Sequence, residues 1–384
     1  MIELNERQSV LRAHAREWAE ELAKWALDLE RTPDKVYELL DLPGMRFLSR
    51  TPIPEKYDDD PIVLDGHPFR GGGMERVTIC EEFGAADAGM MLAAPGPSMS
   101  GVLVSQLGNK AQQELFFGRI TERPTWTFFA LTEPERGSDA GGMQTTLTQD
   151  GDRLLLNGAK RFIGNAIRAS LGVIFARVRP GPLGVAAVLA DTGHPGFVAT
   201  PIPTVGLCGN QVTDVRFSSV EIPTDRLLGS HLSPSRRGLL GAVRGLNQLR
   251  PGVAALGLGI ARGAYDYVRA HRRALTSWER AELDGIGLSI EGVRQLVRRA
   301  AAASDNDDPG LGPLASAAKS RAARLAEDVT LRTLGFFGAG ARLEHPLLDK
   351  YVRDARGIEY MEGTRNIHHL NVFQGISQGK IIGK

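Results

Sequence analysis

Large apolar side chains recur near the start of the chain at Leu11, Trp18, Leu22, Trp25 and Leu29, spacings of seven, four, three and four that place them on one face of a helix between Val10 and Leu29. The helical pattern continues through Glu75 to Phe83 and Gln106 to Phe117, interrupted by the Pro- and Asp-rich stretch from Thr51 to Pro61 and by Gly71-Gly72-Gly73. No strand pattern competes with it in this region. After Pro124 the period changes. Thr125 to Leu131, Arg153 to Leu156, Gly172 to Val178, Gly184 to Ala190 and Val212 to Phe217 are short apolar runs separated by turn signals such as Asp150-Gly151-Asp152 and Asn157-Gly158, which predicts a β unit of roughly a hundred residues. Beyond Leu228-Gly229 the helical period returns, with one stripe of Val253, Leu256, Ile260, Ala264 and Tyr267 and another of Ile286, Ile290, Val293 and Val297. Ser304 to Pro313 is a polar connection, and two more helical stretches follow it. The order is α, then β, then a bundle of about four helices, with no internal repeat.

Composition narrows the function classes. The chain has 384 residues, 42% of them apolar and 24% charged, enough for two or three packed units and too well mixed for disorder. Its 46 basic residues nearly cancel 45 acidic ones, so no overall field favours nucleic acid or an anionic membrane. The uncharged stretch from Ala88 to Asn109 is long enough to cross a bilayer, but it contains Pro95, Gly96, Pro97 and three serines and reads as buried helix, loop, helix. Cys80 and Cys208 stand far apart without a CxxC, which leaves neither a disulfide framework nor a structural zinc site. With no apolar h-region near the start, a reducing cytoplasm is the expected location.

Several motifs have plain structural readings. Gly257-Leu-Gly259-Ile-Ala-Arg-Gly263 lies inside a helical stripe and Gly335-Phe-Phe-Gly338-Ala-Gly340 opens no βαβ unit, so neither is a dinucleotide fingerprint, and close helix packing accounts for the first. His368 and His369 point to different faces of a helix, which disfavours a metal site, and no GxSxG elbow is present. More informative are Phe129-Ala-Leu-Thr132-Glu-Pro-Glu-Arg-Gly137-Ser138-Asp139-Ala140 and Asn157-Gly-Ala-Lys160-Arg-Phe162-Ile-Gly164-Asn165-Ala166, which alone read as a strand, a polar turn and a hairpin. Near the C-terminus, Arg353-Asp354-Ala355 precedes Tyr360-Met361-Glu362-Gly363-Thr364-Arg365-Asn366, where a carboxylate followed by Gly and Thr suits the end of one helix and the cap of the next.

Together, in this order, these segments resemble the acyl-CoA dehydrogenase family over essentially the whole chain. Members carry TEPxAGSD, NGxKxWITN, an Arg-Pro opening the C-terminal bundle, RDA and YEGT; this sequence has TEPERGSDA, NGAKRFIGNA, Arg250-Pro251, RDA and MEGT. Ile222-Pro223 to Leu227-Leu228-Gly229 is similar to the family's exit from its β domain. The resemblance implies an N-terminal α-helical domain over 1–123, a middle β-barrel over 124–229 and a C-terminal four-helix bundle over 230–384. It implies non-covalent FAD and α,β-desaturation of an acyl thioester. A base takes the weakly acidic α-proton while hydrogen bonds stabilise enolate character on the thioester oxygen, and flavin N5 accepts the β-hydride.

By the same resemblance Glu362 is the base, a role that needs a carboxylate in a dry pocket with a raised pKa. Phe129, Leu131, Thr132, Gly137 and Ser138 follow the flavin and its pyrophosphate, Phe162 replaces the usual Trp beside the isoalloxazine, and Gly164, Thr364 and Asn366 complete the cofactor positions. Ser138, Asn247, Arg250 and Gly363 fall to the substrate. The implied partners are an acyl thioester, an electron-transfer flavoprotein or similar acceptor, and further copies of the chain in a homodimer or homotetramer.

The sequence departs from the family at several points. Gly164 stands where a Thr hydroxyl commonly reaches flavin N5, Asn247 stands where an acidic residue often touches pantetheine, and Leu275-Thr-Ser-Trp278-Glu279 replaces the RxxFG segment that completes a neighbour's FAD site. The Gln expected before the Gly338 cluster is absent, with Arg332 or Thr333 nearby. These departures keep three alternatives open: the same chemistry on an acyl group tethered to a carrier protein, an oxygen-using oxidase or monooxygenase, and a non-catalytic member that has lost its flavin.

Overall fold

A computed structural model describes residues 1–69 and 71–380. The opening helical part contains α1 (Glu6–Ala23), α2 (Ala26–Arg31), α3 (Pro43–Arg50), a short hairpin of β1 (Val63–Leu64) and β2 (His67–Pro68), then α4 (Gly73–Ala93), α5 (Ser98–Leu107) and α6 (Lys110–Glu122). The single helix expected over Val10 to Leu29 is broken in two. Lys24 and Trp25 donate to the carbonyls three residues back, on Glu21 and Leu22, which tightens the last turn and ends α1 before the apolar face is complete. The hairpin β1–β2 also corrects the expectation that no strand occurs in this part. Ala88 to Asn109 folds as expected, the end of α4 passing through Pro95-Gly96-Pro97 into α5.

The middle part holds β3 (Thr127–Ala130), β4 (Thr146–Asp150), β5 (Arg153–Ile163), β6 (Leu171–Arg177), β7 (Val185–Asp191), β8 (Phe197–Pro201), β9 (Thr213–Pro223) and β10 (Leu227–Leu228). The expected barrel is an eight-stranded sheet in the order β10-β7-β6-β4-β5-β9-β8, with β3 parallel to β6. No pairing joins its two end strands among the described residues. Strands β4, β8 and β10 go beyond the sequence expectation; β4 and β8 bury only Leu147 and Phe197, too little for a period-two pattern.

The closing helical part contains α7 (Gly238–His271), α8 (Ser277–Asp305), α9 (Leu311–Leu334), α10 (Ala341–Glu344), α11 (Pro346–Tyr360) and α12 (Arg365–Ser377). Arg250-Pro251 lies in the middle of α7 rather than at its start, where Pro251 lacks the N–H that would bond the carbonyl of Asn247. The stripes on α7 and α8 are consumed within the chain, joining one core with α4, α9 and α11. The glycine cluster of α7 does what its helical context predicts: a Cβ on Gly259 would lie 2.5 Å from the Glu81 carbonyl and 2.8 Å from the Ala85 nitrogen of α4. Among the described residues no helix is long and apolar enough to cross a membrane.

A buried ionic node joins the three parts. Near the end of α4 Asp87 leaves helical geometry, at φ −160° and ψ 108°, and its carboxylate accepts from Gly89 N at 2.8 Å and Lys350 Nζ at 2.6 Å. Lys350, on α11, also donates to Asp354 at 2.5 Å, while Asp354 accepts from Leu207 N at 2.6 Å in the loop before β9. The Asp of the RDA segment thus docks the middle part onto the bundle.

Candidate active site

Between α11 and α12 the chain turns through Met361 to Thr364. Glu362 has φ +51° and Gly363 φ +108°, so the carboxylate-bearing residue itself takes a left-handed conformation that costs a non-glycine residue energy. Arg250 Nε holds the turn by donating to the Glu362 carbonyl at 3.2 Å. Lys319 Nζ donates at 2.6 Å to the carbonyls of both Glu359 and Gly363. His368 lies fully buried beneath Gly363, its ring 3.2 Å from where a Cβ there would sit.

The Glu362 side chain is treated differently from its backbone. Among the described residues its buried Oε2 has no hydrogen-bond partner. Burial pushes the carboxyl up to about 7, against the opposing pull of Arg250, Lys319 and Arg76. A carboxyl in that range exchanges protons near neutrality, as a general base must.

Arg250 is itself buried, and its guanidinium also donates to Asn247 Oδ1. Arg76 reaches the same region from α4, with Nη1 2.9 Å from the Gln248 carbonyl and Nη2 3.0 Å from that of Gly71. Helix α5 ties this stretch of α7 to the sheet. Gln106 Nε2 donates to Gln248 Oε1 at 2.6 Å, and Ser100 Oγ donates to the Phe128 carbonyl of β3 at 2.6 Å.

At the end of β3 the side chains of Phe129, Leu131 and Thr132 are half-buried, and the Thr132 carbonyl accepts from Arg161 N of β5 at 2.9 Å. The following Glu133 is buried and accepts from Gln144 N at 2.6 Å, Thr145 N at 2.8 Å and Lys160 Nζ at 2.9 Å; Lys160 also donates to the Leu131 carbonyl at 2.9 Å. Burial raises the Glu133 carboxyl, but the bonds from Thr145 and Gln144 and the charge of Lys160 carry it below its ordinary value. Burial lowers the Lys160 ammonium to about 8, against the pull of Glu133. The Glu of TEP and the Lys of NGxK therefore pin the turn that carries Thr132. Beyond it Gly137 and Ser138 are exposed, and no atom of the described residues lies within 4 Å of where a Cβ on Gly137 would be.

Phe162 is the least expected conformation in the sheet. A register shift between Arg161 and Ile163 extrudes it from the β5–β9 ladder at φ +63°, with its ring 61% exposed. An apolar ring in a strained, solvent-facing position suits a wall for a planar ligand, and this placement together with the open face at Gly137 fits FAD. Two residues on, the carboxamide of Asn210 lies 2.6 Å from where a Cβ on Gly164 would be, so the missing side chain makes room for that amide.

The structure gathers Glu362, Gly363, Arg250 and Asn247 into one cluster, with Thr364 and Asn366 at the start of α12. Among the described residues no hydrogen bond joins Gly137, Ser138 or Phe162 to that cluster. Sequence reading missed Lys319, Arg76, His368 and Asn210. Lys319 had a signal: its neighbours at −4, +3 and +4, Ala315, Ala322 and Ala323, mark its face of α9 as buried.

Comparison with known proteins agrees with this architecture. Residues 128–220 match the model of the acyl-CoA dehydrogenase middle domain and residues 236–377 that of the acyl-CoA dehydrogenase C-terminal domain. The chain is 31% identical to the acryloyl-CoA reductase (NADH) of Anaerotignum propionicum, across 96% of this chain and 93% of that protein. It is 28% identical to an acyl-CoA dehydrogenase of Bacillus subtilis, across 96% and 97%. The butyryl-CoA dehydrogenase structure from Megasphaera elsdenii superposes with a TM-score of 0.85 at 26% identity, covering 98% of this chain and all (100%) of that one. With the fold, the motif segments and the family models in agreement, the chain belongs to the acyl-CoA dehydrogenase family and is an FAD-dependent oxidoreductase.

Proposed function

We propose that this protein desaturates an acyl thioester between its α and β carbons, with Glu362 as the base. The observation that carries the reading is Glu362 Oε2, a buried carboxylate oxygen with no hydrogen-bond partner among the described residues, on a carboxyl pushed up to about 7 by burial. Glu362 removes the α-proton, and its own fixed backbone keeps the oxygen aimed while the proton transfers. Asn247, Arg250 and Gly363 cluster with the base and are assigned to the thioester together with Ser138. Leu131, Thr132, Gly137, Ser138, Phe129, Phe162, Gly164, Thr364 and Asn366 are assigned to FAD, which when bound accepts the β-hydrogen as hydride at N5.

The electrons then leave to an electron-transfer flavoprotein or a similar acceptor. We assign the working form to a homodimer or homotetramer. The side chains of Trp278, Leu288 and Leu343, 72%, 76% and 89% exposed on the closing helical part, support that assignment.

Anaerobic mixing of the FAD-loaded protein with acyl-CoA thioesters tests the reading. The flavin absorbance should bleach with wild type, and Glu362→Gln should keep FAD yet bleach far more slowly. Normal bleaching by that variant would place the base elsewhere. Presenting the same acyl group on coenzyme A and on a carrier protein separates those two handles, and peroxide release under air would mark an oxidase.

A further inference from the structure

Lys319 sits in the middle of α9 with no exposure, an unfavourable place for an ammonium. Among the described residues it forms no ion pair. It donates instead to two backbone carbonyls, those of Glu359 and Gly363, which lie three residues before Glu362 and directly after it. Capping the end of α11 would explain the first bond. It does not explain the second, because Gly363 lies beyond the helix.

With Arg250 on the Glu362 carbonyl, both sides of the left-handed residue are anchored. The charged and titratable groups packed around it come from five helices. Arg76 and Cys80 belong to α4, Arg250 to α7, Lys319 to α9 and Glu359 to α11; from α12, Arg365 binds Glu359. The fully buried His368 is held neutral by burial and by repulsion from Lys319 and Arg250, which lower it to about 3.

We propose that Lys319 is a positioning residue for α-proton abstraction, fixing the Glu362 turn through two backbone carbonyls and placing a positive charge beside a carboxylate that it does not touch. This rests on the reading of Glu362 as the base. Burial lowers Lys319 to about 8, so it remains largely charged at neutral pH, and its charge favours the ionised form of Glu362. Removing that charge raises the Glu362 midpoint.

The test uses FAD-loaded Lys319→Met, Lys319→Arg and Glu362→Gln proteins. Two readouts apply: the pH titration of the Glu362 carboxyl infrared band, identified as the band missing in Glu362→Gln, and anaerobic flavin bleaching by straight-chain acyl-CoAs from butyryl to palmitoyl. Lys319→Met should retain FAD, move the infrared midpoint to higher pH and slow bleaching by about 10²-fold, the usual consequence of a small misplacement. Lys319→Arg should hold the midpoint near wild type and recover part of the rate. A Lys319→Met holoenzyme with wild-type midpoint and rate overturns the proposal. If Lys319→Met yields no holoenzyme, Lys319→Arg decides: a wild-type rate would show that the two carbonyl bonds do not place the base. Glu362→Gln separates the two readings. If it bleaches normally the base assignment falls, and if it is inert while Lys319→Met is unchanged, only the role of Lys319 falls.

Discussion

Two lysines are buried in the closing helices, Lys319 fully and Lys350 at 3% exposure, and they serve carboxylates in opposite ways. Lys350 touches its carboxylates directly, Asp87 at 2.6 Å and Asp354 at 2.5 Å, and their remaining bonds run to Gly89 N and Leu207 N. Burial alone would lower the Lys350 ammonium, but the two carboxylates lift it above its ordinary value, while burial pushes the Asp87 carboxyl up against the pull of Lys350. Lys319 instead grips the backbone around Glu362, whose Oε2 has no hydrogen-bond partner among the described residues. The Lys350 pairs dock three parts of the chain, whereas a turn held through its backbone leaves the Glu362 carboxyl to the base role proposed for it.

The contrast predicts that substitutions at the two sites separate rate from stability. Glu362→Gln should lower the rate of flavin bleaching by about 10²–10⁴-fold, the usual worth of a general base. Its melting temperature should stay at or above that of wild type, because among the described residues the buried Oε2 has no hydrogen bond to lose. Lys350→Met should do the reverse. It leaves Asp87 and Asp354 buried without their cation and should cost about 3–5 kcal/mol of unfolding free energy, read by urea denaturation of the holoprotein. Wild-type stability for Lys350→Met would mean that the node does not hold the parts together. Lys160→Met is a milder case, since Glu133 keeps its bonds from Gln144 N and Thr145 N. A loss of about 3 kcal/mol is expected, with weakened FAD retention because the Thr132 turn loses its anchor.

The same contrast separates what was legible in the sequence from what was not. The order of helical, β and helical parts, the packing role of Gly259 and the turn at Glu362 all depend on local periodicity or turn chemistry, and each was readable. So was the placement of His368 and His369 on different faces of one helix, though not which of them is buried. The break in α4 at Asp87 was not, because its cation is Lys350, 263 positions away along the chain. The role of Lys319 depends on carbonyls 40 and 44 positions away, and a lysine among alanines reports burial but not what it bonds. Gly164 was read only as a lost hydroxyl. That Asn210 fills the vacated space follows from a loop whose path no motif encodes.

A pH profile sharpens the comparison further. Glu362 must be ionised to accept a proton, and its carboxyl lies at about 7. The rate of flavin reduction should therefore rise with pH through about 7 and fall roughly tenfold for each unit below that value. A base with an ordinary carboxylate pKa would give a rate flat across this range. Stopped-flow traces from pH 5.5 to 8.5, roughly the range in which such a limb is visible, would show which kind of carboxylate Glu362 is.

The smallest effect is expected at Phe162, where strain and exposure coincide. The ring is 61% exposed and φ is +63°, so the residue contributes little to the core and holds an unfavourable backbone conformation. If the ring is there to face FAD, the two consequences of Phe162→Gly should have opposite signs. The apoprotein should gain stability, by at most about 1–2 kcal/mol, since glycine accepts the left-handed region freely. FAD should dissociate more readily, the loss of an aromatic contact being worth about 0.5–1.5 kcal/mol, or roughly 2- to 13-fold in Kd. Phe162→Tyr should keep the affinity. Thermal melts of apoprotein and equilibrium dialysis of FAD measure the two terms separately. A Phe162→Gly protein that melts higher and binds FAD as wild type does would mean that the bulge serves the sheet alone, whereas opposite shifts would tie the strain in β5 to the cofactor.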